Sequence, residues 1–377
     1  MIKNYLLTPG PTPIPPRVLE TMARPIIHHR TPEFQKIIQE VEEDLKYVYQ
    51  TKNEVLIFAA SGTGAMEGSV VNLLSPGDKA IVVRGGKFGE RFGEICKAYG
   101  IEFTAIDVEW GKAVDPKKID DILKKDKLIK AVYTTLCETS TGVATDIEAV
   151  GKVLKNYEAA LVVDAISGLA ATPIKTDEWG VDVCVSGSQK GLMIPPGLAF
   201  VSVSPKAWAL IEKSTLPKYY FDFKAYKKAL GKQDTPFTPA VNLVIALREA
   251  LKIIKEEGLD VIFDRHKKMA FSVRSAVKAM GLELFSPDAY SDGVTAVKVP
   301  QGIDGEKLVK TMRDKYGVGI AGGQDEMKGK IFRIATMGYI TPSDLIVCLA
   351  ALETALSEMG YKFQLGSGVK ALEELLR

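Results

Sequence analysis

The sequence predicts an α/β fold with a mostly parallel central sheet flanked by helices, followed by a smaller α+β domain at the C-terminus. Three observations carry this. From Val55 onward, short apolar runs alternate with segments of helical spacing. Several of those runs are apolar throughout instead of at every second position, the pattern of strands covered on both faces. Near Pro236–Pro239 the alternation stops, and one long helical stretch leads into a region of mixed helices and strands. Repeated strand-helix-strand units build a parallel sheet. Such sheets gather ligands at the carboxyl ends of their strands.

The elements follow in order. The opening MIKNYLLTPGPTPIPPR lacks a sustained apolar core and is proline-rich, so it reads as an extension over residues 1–13 and not as a secretory signal. Thr31-Pro32-Glu33 has the form of a helix start. Strands are predicted at VLIFAA from Val55, AIVVRG from Ala80, IEFTAIDV from Ile101, KAVYTTL from Lys130 and AALVVDA from Ala159; VDVCVSGS from Val181 and LAFVSVS from Leu198 complete the set. PKKIDDILKK after Asp115 and DIEAVGKVLKNY after Thr145 supply helices between them, each with a polar start. AVNLVIALREALKIIKEEG, from Ala240 to Gly258, is the long helix on which the small domain hinges. GVTAVKV and KIFRIAT are that domain's strands. The expected division is a large domain over residues 14–257 and a small one over residues 258–377.

Bulk properties exclude several classes. A chain of 377 residues with 46% hydrophobic and 25% charged residues suits a soluble two-domain protein. A net charge of +2 gives no electrostatic ground for nucleic acid or an acidic membrane. No apolar run approaches a membrane span. Cys96, Cys137, Cys184 and Cys348 are scattered without a C-x-x-C pair, which argues against a metal site and fits a reducing cytoplasm. Scarce Asn and Gln beside abundant Lys and Glu resembles the composition of heat-stable proteins.

Two charged residues stand at the ends of consecutive apolar runs: Asp164 closes AALVVD, and Lys190 follows VSGSQ and precedes GLMIPPG. A charge at the mouth of a buried sheet is costly unless something meets it. Either could be ordinary, a helix cap and a solvated lysine. Together they would open into one crevice, where a partly desolvated amine becomes a usable nucleophile. AASGTGAMEG follows the first strand and opens a helix, so Ser61, Gly62 and Thr63 suit a phosphate at a helix N-terminus. It matches neither a Walker loop nor a clean G-x-G-x-x-G, and could be a mere connecting turn. Phosphate cradle, carboxylate and lysine are the parts that pyridoxal 5'-phosphate requires.

With LLTPGPTPIPPRVLE, SGTGAMEG, GGKFGER, ETSTGV, VVDAISG, VSGSQKGL, TPFTP and KIFRIATMG in this order, the chain resembles the fold-type I pyridoxal-phosphate enzymes of class V, specifically the alanine-glyoxylate and serine-pyruvate aminotransferases. The resemblance implies that Lys190 is the Schiff-base lysine and that Asp164 pairs with the pyridinium nitrogen. It puts Ser61, Gly62, Thr63 and Gln189 around the phosphate. Phe88 takes the place of an aromatic side chain stacked on the ring, and Ser140 lies near the phenolic oxygen. Thr238 aligns with a threonine that reaches the neighbouring subunit's phosphate, which implies a homodimer with shared sites. The position three residues earlier, aromatic in many relatives, is Thr235. Arg333 aligns with the arginine that grips the substrate carboxylate, a planar fork that Lys cannot replace. His28-His29-Arg30 falls near the entrance, where Arg30 is either structural or a second substrate contact.

The implied reaction is ping-pong transfer of an amino group from alanine or serine to glyoxylate or pyruvate. The alternatives are an aspartate-preferring aminotransferase and a lyase of the cysteine desulfurase kind on the same fold. The lyase needs a mobile nucleophilic cysteine, and no cysteine here sits in a Gly/Ser-rich loop. A scaffold without cofactor would have no use for Lys190, Asp164 and Arg333 together.

Overall fold

The computed structural model describes residues 4–377. Its centre is a seven-stranded sheet made of β1 (Val55–Phe58), β2 (Lys79–Arg84), β3 (Glu102–Asp107), β4 (Ile129–Thr135), β5 (Ala160–Asp164), β6 (Val183–Gly187) and β7 (Ala199–Val203). In space they run β1-β7-β6-β5-β4-β2-β3. All pairings are parallel except those of β7, which is antiparallel to both β6 and β1. Apolar character reports that β7 is buried, not which way it points, so its reversal was not readable from LAFVSVS.

Side chains of each strand divide by parity. Val55, Ile57, Leu161 and Val163 join one core; Leu56, Phe58, Val162 and Val185 join the other. The first core is closed by helices Pro32–Tyr49, Ile147–Leu154 and Val241–Glu257, and the second by helices Gly62–Leu73 and Lys87–Ala98. Two covered faces are why the central strands are apolar throughout. The edge strand β3 has one face open and alternates accordingly. Local chemistry sets the helix starts: Thr31 caps Pro32–Tyr49 by accepting from Phe34 N, and Ser204 caps Pro205–Ile211 by accepting from Ala207 N.

A third core holds the C-terminal residues. A three-stranded antiparallel sheet places Ile331–Ala335 between Val294–Lys298 and Ala321–Gly322. Helix Leu259–Ala279 is shared, with Leu259 and Ile262 in the first core and Met269, Val273 and Val277 in the third. The N-terminal segment crosses between them. Tyr5–Leu6 pairs in parallel with Val318–Gly319, Leu7 O accepts from Ala335 N at 2.9 Å, and Thr12 N donates to Gln189 O at 3.1 Å. Among the described residues no helix is long and apolar enough to cross a membrane.

Candidate active site

Five of the predicted residues lie at the carboxyl ends of the main-sheet strands. Ser61 follows β1, Phe88 follows β2, Ser140 follows β4, Asp164 ends β5, and Lys190 lies three residues beyond β6. Asp164 is 3% exposed and its Oδ1 accepts from Ile166 N at 2.8 Å. Burial pushes its carboxyl up to about 7, against the pull of that bond and of the Lys190 and Arg91 charges. Lys190 is 9% exposed. Burial brings its amine down to about 8, opposed by the Asp164 charge. Both groups therefore change protonation near neutrality, the property of a site that moves protons at that pH.

A strap covers the lysine. Lys190 Nζ donates to Pro9 O, and Thr12 Oγ1 donates to Lys190 O at 2.9 Å. Gly10 has φ +140°, and a Cβ there would collide with the lysine's Cε and Nζ. Behind the lysine, Ala170 and Met193 are held at φ +58° and +57°. A non-glycine residue in the left-handed region costs about 1–2 kcal/mol, so the loop carrying Lys190 is maintained against local preference.

The Gly62 helix opens the cradle. Ser61 is exposed and makes no side-chain cap, leaving the first N–H groups to a ligand. A Cβ built on Gly187 would meet Gln189 Oε1 at 3.2 Å and Gly62 N at 3.5 Å, so side-chain amide and helix start border one space that glycine keeps open. Gln189 Oε1 is buried without a partner. Such an orphan is expensive in the protein alone; the oxygen calls for a donor, and the N–H groups of the same amide are what Gln189 can offer to an anion.

Phe88 is half-buried at the start of the Lys87 helix. The residue that holds it there is Glu138, which is not among the residues the sequence points to. Its Oε2 accepts from Phe88 N at 3.1 Å and Gly89 N at 3.0 Å, and its Oε1 accepts from Ser140 N at 3.1 Å and Ser140 Oγ at 2.5 Å. Ser140 Oγ in turn accepts from Lys87 N at 3.1 Å. A carboxylate at a helix N-terminus meets both the free N–H groups and the dipole. The signal was present: Glu138 follows an apolar run much as Asp164 ends one.

Arg333 is 5% exposed. Its Nη1 donates to Thr139 O at 2.7 Å, and its Nε and Nη2 donate to Gly322 O at 3.0 and 2.6 Å. Burial lowers it to about 10, with Glu138 pulling the other way. Among the described residues it has no carboxylate partner, so it stands as a buried cation ready for an anion. Arg30 is different. It is ion-paired with Asp234, and its Nη1 donates to Thr235 O at 3.0 Å. Thr235 Oγ1 donates to Phe237 O at 2.8 Å, while Thr238 is exposed and lines a surface groove with His28 and His29. The contacts of Thr235, Thr238 and Arg30 thus form a group of their own, apart from the bonds around Lys190. The described residues gather no group of three or more His, Cys, Asp or Glu that could hold a metal.

The residues thus fit a ligand with an anionic end, an aldehyde and a basic ring nitrogen. Comparison with known proteins points the same way. The family model "Aminotransferase class-V" matches residues 4–340. The chain is 45% identical to the small subunit of a soluble hydrogenase from Synechococcus, over 99% of this chain and 98% of that one. It is 38% identical to the L-aspartate-glyoxylate aminotransferase of Paracoccus denitrificans, over 100% and 96% of the two chains. The serine-glyoxylate aminotransferase of Hyphomicrobium methylovorum is 40% identical, over 99% and 94%. The solved structure of ureidoglycine-glyoxylate aminotransferase from Bacillus subtilis superposes with a TM-score of 0.96 at 31% identity, covering 100% and 98%.

Proposed function

The chain belongs to the class-V aminotransferase family, and from that premise we propose that it moves an amino group from alanine or serine to glyoxylate or pyruvate by a ping-pong exchange, with Lys190 as the lysine that holds the cofactor. The family's cofactor is pyridoxal phosphate. One observation carries the reading most: a lysine and an aspartate lie buried, 9% and 3% exposed, at the carboxyl ends of two neighbouring parallel strands.

When bound, pyridoxal phosphate supplies an aldehyde that takes up the amino group and an electron-withdrawing ring. Asp164 would hold a proton on the ring nitrogen, its buried carboxylate gaining the counter-charge it lacks in the protein alone. Lys190 Nζ would remove and return the proton at the substrate Cα, as an amine near pH 8 can. Arg333 would bind the α-carboxylate, and the face of Phe88 would set the plane of the ring. The Pro9–Thr12 strap would keep water from Lys190. Ser61, Gly62, Thr63 and Gln189 would take the phosphate.

The exposed position of Thr238 agrees with a homodimer in which that hydroxyl completes the neighbouring site. A lyase of the cysteine desulfurase kind fits less well, because all four cysteines are buried and burial pushes their thiols up, to about 12 for Cys137. The hydrogenase subunit name of the Synechococcus relative finds no metal-ligand group among the described residues. An aspartate-preferring enzyme is the second reading, favoured by the Paracoccus relative. The deciding experiment is a matrix of amino donors against glyoxylate and pyruvate with the purified protein. Alanine or serine with glyoxylate should turn over fastest; no transfer with any pair would refute the assignment.

A further inference from the structure

Arg91 is a cation that the reaction outlined above leaves without a task. It sits one turn along the Lys87 helix from Phe88, with its Cζ 4.9 Å from that ring's centroid. Its Nη1 donates to Thr63 Oγ1 at 3.2 Å, which brings the guanidinium to the first turn of the Gly62 helix. Guanidinium carries five N–H donors, so this bond leaves most of them free. Among the described residues no carboxylate is paired with Arg91, although its neighbours are paired: Arg84 with Asp107, and Lys87 with Asp325 at 3.0 Å.

The bond also fixes the polarity of Thr63. A hydroxyl that accepts from Arg91 keeps its own proton to give to something else. The remaining parts of the cradle, the Gly62 helix start and the Gln189 amide, are neutral. A helix end supplies only about half a unit charge, whereas a phosphate monoester carries between one and two negative charges at neutral pH. Arg91 is the cation in hydrogen-bond contact with this cradle, and its field already reaches Asp164.

We propose that Arg91 is the charge partner of the cofactor's phosphate, binding it through its free N–H groups while turning the Thr63 hydroxyl toward it. The inference rests on the aminotransferase reading and adds a residue that the motif-based assignment did not contain.

The test compares two probes that differ only in the phosphate. The full-length apoprotein, wild type, Arg91→Gln and Arg91→Lys, is titrated with pyridoxal phosphate and with pyridoxal, following visible absorbance, with thermal melting as a check on folding. Arg91→Gln should weaken pyridoxal phosphate by roughly 10–100-fold, the usual scale for a hydrogen bond to a charged group. Pyridoxal affinity should stay within about twofold, and Arg91→Lys should recover part of the loss because the charge survives. Equal weakening of both probes would show Arg91 to be structural support only and overturn the inference. Unchanged pyridoxal phosphate affinity in Arg91→Gln would overturn it as well, with the aminotransferase reading left standing. If wild type takes up neither probe, that reading falls and this inference falls with it.

Discussion

The Glu138 carboxylate accepts the Phe88 N–H at 3.1 Å, tying the turn after β4 to the start of the Lys87 helix fifty residues earlier. Gly89 N and Ser140 Oγ share the same carboxylate. Burial leaves the Glu138 carboxyl raised, while these three donors and Ser140 N oppose the rise. The group therefore acts as a fixed anchor whose value lies in having only acceptors to offer.

Glu138→Gln should break that anchor, because an amide has one acceptor oxygen where the carboxylate has two, so either Phe88 N and Gly89 N or Ser140 N is left facing an NH2 group. Leaving buried donors unmet costs about 1–3 kcal/mol, so the melting temperature should drop by several degrees. The induced circular dichroism of the bound cofactor should weaken too, since Phe88 loses its placement. Phe88→Leu is the contrast, keeping the anchor and losing only the dichroism. An unchanged melting temperature in Glu138→Gln would show that the anchor does not matter.

Most of the scaffold was legible, and the reasons are physical. Every strand of the main sheet lies within a residue or two of its expected place, because two-sided burial demands continuous apolar character in the inner strands, while the edge strand β3 shows by alternation. Asp164 and Lys190 stood out because charge at the end of such a run is anomalous. Glu138 carried the same signal, but its partners are backbone N–H groups of another element, and backbone donors have no sequence signature. The strap over Lys190 was hidden for a related reason: Pro9 and Thr12 act through a carbonyl and through bonds to backbone at Gln189 and Lys190. For Arg30 the sequence leaves a structural role and a substrate contact both open, because its ion pair with Asp234, two hundred residues away, has no local signature.

Lys190→Ala should abolish the yellow colour of lysine-bound cofactor and reduce turnover by several orders of magnitude. It should also raise the stability of the apoprotein on the acid side of pH 8. An amine depressed to about 8 in the fold binds its proton more weakly there than in the unfolded chain, which favours unfolding at lower pH. Near wild-type rates in this variant would remove Lys190 from the chemistry.

Asp164 gives a pH signature of the opposite kind. Its folded carboxyl lies near 7, above the unfolded value near 3.8. The protonated form is the one the empty fold prefers, so its contribution is fully present below about pH 4 and is lost as pH rises to 7. Asp164→Asn should flatten that loss, making the apoprotein more stable at pH 8 by a few kcal/mol while slowing turnover by orders of magnitude. Denaturant unfolding of both apoproteins from pH 4 to 8 measures it; parallel curves would deny that Asp164 is a strained, unpaired charge.

Thr238 is exposed in its own chain, and a hybrid dimer shows which site it serves. One chain carries Thr238→Val and the other Lys190→Ala, so only the first chain's lysine can hold cofactor. If Thr238 acts across the interface, that lysine's site receives the intact threonine of the second chain, and cofactor affinity should match wild type. Weakened affinity, about tenfold or more, would place the threonine in its own subunit's site.

Substrate choice turns on how many cations meet the donor. Arg333, buried and held by Thr139 O and Gly322 O, would account for one carboxylate on the proposed reading, and every amino acid has one. A second carboxylate needs a second cation, and Arg30 is already neutralised by Asp234. An unmatched charge in a closed site costs several kcal/mol, enough to suppress a dicarboxylic donor by orders of magnitude. Alanine and serine should therefore lead aspartate and glutamate in kcat/KM. Arg333→Lys should raise KM for all four donors alike, because it weakens the one group they share. Arg30→Ala should leave all four ratios nearly unchanged, since its ion pair lies within the protein and not with substrate. Aspartate leading in the wild type, and losing that lead in Arg30→Ala, would show that the pair opens to read a distal carboxylate and would favour the aspartate-glyoxylate reading instead.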